Sequence, residues 1–315
     1  MGNTNYRKYP NHYYEPEKVA VGARDYQKYF IRFSNLYEIY NLLKSNPEIN
    51  YEIFPELASL NGTYNFAGIP YDEALEDLVN FDEKGYIDFL DLNRDLANVK
   101  LGYKHEYELI RTLAGGHLNI PAYSAGSPLC YESYERVKRP KFINIHSTLS
   151  YLHYTTKNQF LNKAIILLSL ISALEKNGYN VNLNTFELSD NGNELLHIAV
   201  NVKKFGERIN YQTLYKTNCH VEFLRRILFR ILETSAVQNE WGNGYGHTCD
   251  AEFTKKVLNV SSSDLYFGTP SELNISGEDL AEDFESCLNT LDLKTKFDVR
   301  EISDEFKEKV KRIIK

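Results

Sequence analysis

The chain has 315 residues, of which 43% are hydrophobic and 25% are charged, and its formal net charge is −7. This composition is typical of a globular protein, and the length suffices for two ordinary domains or one large one. The negative charge disfavours general binding to nucleic acid, because phosphate binding depends on clustered Lys and Arg. The four cysteines include no CxxC pair, which favours reduced thiols over a disulfide framework.

Neither a membrane span nor a secretory signal is expected. The longest apolar run, residues 164–174, is about half the length needed to cross a bilayer. Residues 1–10 are polar and rich in tyrosine, and they lack the apolar centre of a secretory signal. We therefore expect the protein to remain in the compartment where it is made.

Residues 1–113 predict an N-terminal α+β region. Tyrosines scattered among charges over residues 1–30 indicate an arm that packs on the body. Residues 29–33 alternate as a strand does, and Ser34 would cap a following helix. Its apolar face would carry Leu36, Ile39, Tyr40 and Leu43. Further helices are predicted over residues 71–80 and 105–113.

Residues 114–140 predict a connecting loop, because residues 114–128 are rich in Gly, Ser and Pro. After it, Phe142, Ile143 and Ile145 predict a short strand, and a polar loop extends over residues 146–158. A long amphipathic helix follows, whose apolar residues recur every three or four positions. They are Phe160, Ala164, Leu167, Leu168, Ile171 and Leu174.

Gly178 would end this helix as a left-handed cap. Val181 and Leu183 then predict a second strand, and the turn at residues 190–192 predicts an antiparallel third strand over residues 195–202. The remaining predicted elements are a helix at 219–233, a strand at 264–268 and helices at 277–291 and 303–314. This order predicts a three-layer α/β sandwich over residues 141–315, with a mostly parallel sheet and an antiparallel edge strand.

Three stretches resemble a family of tailed-bacteriophage proteins that has no assigned activity. They are residues 121–130, residues 143–148 and residues 164–181, and with residues 241–246 the resemblance extends over residues 114–290. It implies a phage-encoded protein that resides in the host cytoplasm or in the virion.

The element order also resembles a von Willebrand A domain, in which an Asp-x-Ser-x-Ser loop after the first strand holds Mg²⁺. Here Asn144-Ile145-His146-Ser147-Thr148 occupies that position. Mg²⁺ prefers oxygen ligands that include a carboxylate. Because Asn144 removes the charge and His146 replaces a hydroxyl, we expect no cofactor, with Mg²⁺ as the alternative.

Polar side chains collect in the same loop, at the carboxyl end of a strand, where open α/β sheets bind ligands. The candidate binding residues are Asn144, His146, Ser147, Thr148, Ser150 and His153. A Ser–His nucleophile needs an orienting acid, and the chain has no Gly-x-Ser-x-Gly elbow. We therefore do not expect an enzyme. The alternative interpretation is that these groups cap the helix and bind loop backbone.

Two other groups of residues carry weaker signals of a site. The glycine-rich residues 241–250 lack the Lys of a phosphate loop and predict a packed turn, although His247 and Cys249 could bind zinc with Cys219 and His220. Six basic residues form the only notable basic group before the C-terminus. We expect solvation or pairing with carboxylates, not nucleic-acid binding, for Lys203, Lys204, Arg208, Arg225, Arg226 and Arg230.

The expected function is that of a non-enzymatic interaction or assembly protein. It would bind a phage-encoded protein partner through loops at the carboxyl ends of the strands, with neither membrane nor nucleic acid as partner. One alternative is a hydrolase or metal-dependent phosphoryl-transfer enzyme that uses residues 144–153. Another is a virion structural component, suggested by the tyrosine-rich arm.

Overall fold

The computed structural model describes most of the chain. The described residues are 13–45, 49, 57–80, 85–87, 89–91, 101–102, 107–136, 141–176, 178–190, 192–234, 249–291 and 298–299. The predicted terminal helix at 303–314, residues 1–12 of the arm, and the glycine-rich residues 241–248 lie outside them.

The described residues form strands and helices with the following bounds. The strands are β1 (Tyr13–Val21), β2 (Arg24–Phe33), β3 (Leu101–Gly102), β4 (Tyr107–Thr112), β5 (His117–Leu118), β6 (Tyr131–Arg136), β7 (Lys141–Thr148), β8 (Tyr179–Asp190), β9 (Glu194–Lys203), β10 (Leu265–Phe267) and β11 (Asp298–Val299). The helices are α1 (Leu36–Lys44), α2 (Ala58–Asn61), α3 (Tyr64–Ala67), α4 (Tyr71–Asp77), α5 (Ile120–Ser124), α6 (Lys157–Lys176), α7 (Tyr211–Cys219), a π-helical segment (Phe223–Leu228), α8 (Phe229–Thr234), α9 (Ala251–Val257) and α10 (Leu280–Thr290).

The main sheet has six strands in the order β1-β2-β9-β8-β7-β10. The pairs β2–β9, β8–β7 and β7–β10 are parallel, whereas β1–β2 and β9–β8 are antiparallel. The prediction of a mixed α/β protein with a mostly parallel sheet is therefore confirmed.

The predicted strand–helix–strand unit is present as β7, α6 and β8. β7 and β8 pair in parallel, with Ile143 beside Val181 and Ile145 beside Leu183. The apolar side chains of α6 are buried against the face of the sheet that carries Ile143 and Val181. Burying one Leu or Ile contributes roughly 1.5–3 kcal/mol, so this packing stabilises the unit strongly. Gly178 has φ +83°, as predicted for a left-handed cap.

The third strand is antiparallel as predicted, but its predicted place at the edge of the sheet is wrong. β9 pairs with β8 on one side and with β2 on the other, where Ile31 lies beside Ile198. Every residue of β9 after Glu194 is buried. A near-continuous apolar run is typical of a central strand that is covered on both faces. The boundary predicted at residue 113 thus separates strands that lie side by side in one sheet.

Helices pack on both faces of the sheet. The face that carries Ile143 and Ile198 contacts α1, α4, α6, α7, α8 and α10 through two apolar clusters. The opposite face contacts α9, whose Val257 packs with Phe186 and Tyr266. Within the described residues, no helix is both long enough and apolar enough to span a membrane.

The prediction of a helix over residues 105–113 is wrong. Residues 107–112 form β4, which pairs with β6 so that Leu109 lies opposite Tyr134. The predicted loop that follows contains β5 and α5 as well. The short run at 107–112 fits either a helix or a strand by its own pattern, and pairing with β6 decided between them. Leu109, Tyr134, Ile120 and Tyr123 are all exposed in this small sheet and its helix.

Two predicted helix boundaries shift. α1 is capped by Asn35, whose side chain accepts a hydrogen bond from the Glu38 amide at 3.0 Å, and not by Ser34. The helix predicted to begin at residue 219 is preceded by α7, and the chain turns at His220, which has an extended backbone (φ −107°, ψ 116°). The π-helical segment starts only after this turn.

The prediction of solvation or pairing with carboxylates holds for Arg230 of α8, which contacts Glu233, and is wrong for Arg225 and Arg226 of the π-helical segment. Arg225, Arg226 and Arg230 are all buried. Of the three, only Arg230 contacts a carboxylate of a described residue, that of Glu233, at 3.4 Å. The guanidinium of Arg226 donates to the carbonyl oxygens of Ser59, Leu60, Gly62 and Ile69. These arginines therefore fasten residues 59–69 onto the helical layer, because buried donors need partners.

Candidate ligand-binding site

The predicted site residues lie on different sides of the sheet. Asn144 and His146 lie on the face opposite α6, whereas Ser147 lies on the face that α6 covers. Burial lowers the pKa of His146, although the charge of Asp264 acts in the opposite direction. The Ser147 hydroxyl is fully buried and has no hydrogen-bond partner among the described residues. Successive side chains of a strand alternate between its faces, so these three cannot converge.

Asn144 belongs to a ladder of amides across the sheet. Its backbone and side-chain N–H groups donate to Oδ1 of Asp264 at 3.0 and 2.9 Å. Its side-chain oxygen accepts from Asn182, whose own oxygen accepts from Asn201 at 3.3 Å. Asn201 also donates to Asn184 at 2.9 Å. The ladder satisfies these half-buried groups and joins β7, β8, β9 and the loop before β10.

Thr148 and Ser150 bind backbone. The Thr148 hydroxyl accepts from the Ser150 amide at 3.1 Å, and the Ser150 hydroxyl accepts from the Leu188 amide at 3.4 Å. His153 is exposed, and its carbonyl accepts from Arg225 at 3.2 Å. The structure therefore does not bring the six predicted residues together around one point.

A cavity of about 380 Å³ lies beside this loop, at the first turn of α6. Because α6 follows β7 through residues 149–156, this turn lies at the carboxyl end of β7, where open α/β sheets place ligands. Among the described residues, three segments form its walls. The lining residues are Gly85, Phe89, Lys157, Asn158, Leu161, Tyr215, Cys219, His220, Val221 and Glu222.

The turn between α7 and the π-helical segment supplies two polar side chains of the lining, His220 and Glu222. His220 Nδ1 lies 3.4 Å from Glu222 Oε1, and the Tyr215 ring packs edge-on to the imidazole at 4.7 Å. His220 Nε2 is buried and has no hydrogen-bond partner among the described residues. A carboxylate at Nδ1 favours the tautomer in which Nε2 is free to accept a hydrogen bond.

Glu222 is a carboxylate at neutral pH. Burial alone raises its pKa, but hydrogen bonds from His220 and the backbone, together with the charges of His220 and Lys157, lower it overall. By contrast, burial raises the pKa of Cys219 well above its ordinary value. The Cys219 sulfur is therefore a protonated thiol, which is a poor nucleophile and a poor metal ligand.

The first turn of α6 adds a positive side chain to the lining. Lys157 is exposed, lies 5.9 Å from the centre of the Tyr64 ring, and forms no ion pair with a described residue. The backbone N–H groups of Lys157 and Asn158 have no acceptor among the described residues, because they begin the 20-residue helix α6. The partial positive charge at the start of a helix favours anions.

Sequence reasoning missed this cavity, although it named Cys219 and His220 as partners in a zinc site. His247 of that hypothesis lies outside the described residues, and the Cys249 thiol donates to the Leu188 carbonyl at 3.6 Å. Among the described residues, no three His, Cys, Asp or Glu side chains are placed to hold a metal ion. The only local signal was the pattern Cys219-His220-Val221-Glu222, within a stretch that predicted an unbroken helix.

The fold and the cavity define a mixed α/β protein with a candidate ligand-binding site at the carboxyl end of its central strands. A family model described as a domain of unknown function, DUF7192, matches residues 9–295, so the chain belongs to this family. No curated protein and no solved structure matches the chain.

Proposed function

We propose that this chain is a non-enzymatic binding protein that recognises a protein partner at the loops beside the cavity. The observation that carries the proposal is the cavity of about 380 Å³, together with two exposed tyrosines on segments next to it. Pockets of this size are typical of specific binding sites. Tyr154 precedes α6 by three residues, Tyr64 lies against Lys157, and the two tyrosines are 60% and 65% exposed.

The rim is built to hold its shape. Arg225 donates to the carbonyls of Phe66, Leu152 and His153, and its guanidinium stacks on the Phe66 ring at 4.4 Å. One buried cation thereby ties residues 62–69 to residues 149–156. A preformed rim lowers the entropic cost of binding, and exposed tyrosines are enriched at interfaces.

The cavity chemistry favours binding over catalysis. Cys219 is held as a thiol, and the Ser147 hydroxyl lies on the face of the sheet covered by α6. Neither group is presented to the cavity as an activated nucleophile.

We also propose a von Willebrand A-like, three-layer core. Numbered from β7 in chain order, the strands β9-β8-β7-β10 follow the order 3-2-1-4 that begins doubly wound sheets. Packing of α9 on the face opposite α6 supports the three layers. The phage origin, the phage-encoded partner and a location in host cytoplasm or virion are part of the same proposal, and they rest on the resemblance of residues 121–130, 143–148 and 164–181.

Affinity capture from infected host cells tests the binding function. Three baits are compared: the wild type, a double variant with Tyr64→Ala and Tyr154→Ala, and the control Tyr37→Ala, whose ring on α1 is 63% exposed. The wild type and the control should capture a common protein that the double variant loses. Equal capture of the same proteins by all three baits would contradict the proposal.

A further inference from the structure

We propose that the face of the main sheet opposite α6 binds a neutral oligosaccharide. The surface, called the amide face below, consists of side chains from β7, β8 and β9. Its residues are Phe142, Asn144, His146, Asn182, Asn184 and Asn201. None of them lines the cavity, so this is a second site with a ligand of its own.

The strand register arranges the amide face in three rows. His146, Asn184 and Asn201 form one row, because Asn184 pairs with His146 on one side and with Asn201 on the other. Asn144 and Phe142 precede His146 by two and four residues on β7, so they lie on the same face in the two rows before it. Successive rows are about 7 Å apart, and the three rows together extend over about 13 Å. This length accommodates two linked sugar rings.

The amide face is partly open to solvent. Phe142 is 56% exposed, and the side chains of Asn144, His146 and Asn184 are of intermediate exposure. Helix α9 packs beyond the row of Asn184, where Val257 contacts the apolar residues of the same face. The helix therefore borders the amide face and leaves its polar groups within reach of a ligand.

Hydrogen bonds determine which way each amide points. Burial alone raises the pKa of Asp264, but hydrogen bonds from Ser261 and Asn144 lower it overall, so Asp264 is an ionised acceptor. Asn144 therefore presents its N–H group to Asp264 and its oxygen to Asn182. Asn182 in turn presents its oxygen to Asn201. Each amide thus donates toward Asp264, and the ladder has a fixed direction.

This direction leaves a donor and an acceptor side by side. Asn201 Nδ2 also donates to Asn184 Oδ1 at 2.9 Å, so the two amide groups are in contact. The N–H groups of Asn184 and the oxygen of Asn201 bond to no other described residue, and neither is among the fully buried groups without a partner. The ring nitrogens of His146, which pairs with Asn184, are in the same situation. All these groups are available to a ligand.

A sugar offers the matching surfaces. A hydroxyl group both donates and accepts hydrogen bonds, so two neighbouring hydroxyls match the adjacent donor of Asn184 and acceptor of Asn201. The C–H groups on the face of a sugar ring are apolar and pack on an aromatic ring. Phe142 offers such a ring two rows away, and Phe205 packs edge-on against it at 5.3 Å. Polar groups in one row and an exposed ring in another therefore fit two linked sugars.

The amide face is neutral, which favours a neutral ligand. Burial lowers the pKa of His146, although the charge of Asp264 acts in the opposite direction, so the imidazole is uncharged at pH 7. Charged groups lie at the border, with Asp264 beside the second row, Arg32 on β2, and Lys204 and Arg208 in the turn after β9. A nucleic acid needs cations along its phosphates, and the ionised Asp264 would repel them.

A glycan array that carries neutral and acidic oligosaccharides tests the inference on the full chain. The wild type should bind a neutral oligosaccharide of two or more units, and titration calorimetry with that glycan then gives the Kd. Binding to no neutral glycan would overturn the inference. Binding of labelled single-stranded DNA, measured by fluorescence anisotropy and weakened in Phe142→Ala, would also overturn it and would indicate a nucleic-acid surface.

Two variants locate the sugar. Phe142→Ala removes the stacking ring, and Asn184→Asp removes the unpaired N–H groups while keeping the oxygen that accepts from Asn201. Each should raise the Kd roughly tenfold, whereas Phe142→Tyr, which retains an aromatic ring, should bind like the wild type. An unchanged Kd in both Phe142→Ala and Asn184→Asp would contradict the inference.

The same assays separate this site from the protein-binding site. The double variant with Tyr64→Ala and Tyr154→Ala should bind the glycan like the wild type, although it loses the protein partner. Phe142→Ala should still capture that partner. Loss of glycan binding in the tyrosine double variant, with the thermal unfolding midpoint unchanged, would show that the sugar does not bind at the amide face.

Discussion

Replacing Glu187 with Gln measures how much the ionisation of a buried carboxyl group lowers the free energy of unfolding. The Glu187 side chain is 3% exposed, Ser189 donates a hydrogen bond to its Oε1, and its Oε2 has no partner among the described residues. Burial raises the pKa of Glu187 from 4.5 to about 7, although the hydrogen bond from Ser189 acts in the opposite direction. The folded protein therefore holds a proton that the unfolded chain releases.

The stabilisation that the protonated Glu187 provides decreases as the pH rises. Stability from the neutral Glu187 is fully present below pH 4.5 and is lost as the pH rises through about 7. The shift from 4.5 to about 7 corresponds to about 3 kcal/mol, because one pKa unit is worth about 1.4 kcal/mol. Glutamine keeps the neutral shape at every pH. Relative to the wild type, the free energy of unfolding of Glu187→Gln should rise by about 3 kcal/mol between pH 4.5 and about pH 8.

Urea unfolding of both proteins across this pH range, followed by circular dichroism, gives the difference. The difference is needed because burial lowers the pKa of His197, so His197 changes stability in the opposite direction. Glu252→Gln, at an exposed position on α9, is the matched control and should show no such trend. A Glu187→Gln difference that stays constant with pH would refute the reasoning.

Two further comparisons test a buried lysine and a close approach of two backbone segments. Burial lowers the pKa of Lys163 from 10.5 to about 7, so between these values only the unfolded chain holds the extra proton. Relative to Lys163→Met, the free energy of unfolding of the wild type should therefore rise by about 1.4 kcal/mol per pH unit above pH 7. A difference between the two proteins in urea unfolding that stays constant above pH 7 would contradict this. A Cβ on Gly116 would lie 1.9 Å from the Glu132 carbonyl, whereas one on Gly115 meets nothing within 4 Å, and both glycines have positive φ. Gly116→Ala should therefore increase hydrogen exchange in β6 far more than Gly115→Ala, and equal exchange in the two variants would show that the close approach is unimportant.

The sequence predicted the unit β7–α6–β8 because its signals are local. The apolar residues of α6 recur with the period of a helix, and Gly178 marks its end. The turn at residues 190–192 predicted the antiparallel pairing of β8 and β9. These patterns depend on backbone geometry within a few residues, so they can be read without knowledge of the fold.

The sequence could not predict the hydrogen-bond partners of the buried arginines. Arg226 lies within an apolar helix pattern, and a charged residue in such a pattern normally faces solvent. Its carbonyl partners lie in residues 59–69, about half the chain away. β9 is a similar case, because β2, which turns it into a central strand, comes from the start of the chain.

The α/β class and the central βαβ unit follow from local patterns in the sequence, which also predicts a site at the carboxyl ends of the strands. The residues that line the candidate cavity emerge only from the packing of segments that are distant in the chain. The cavity is lined by Gly85 and Phe89, by residues 157–161 and by residues 215–222, and none of these segments carries a complete motif. The periodicity of apolar residues reflects which side chains of a segment face the core and which face water. A cavity depends instead on how segments that are distant in the sequence pack against each other.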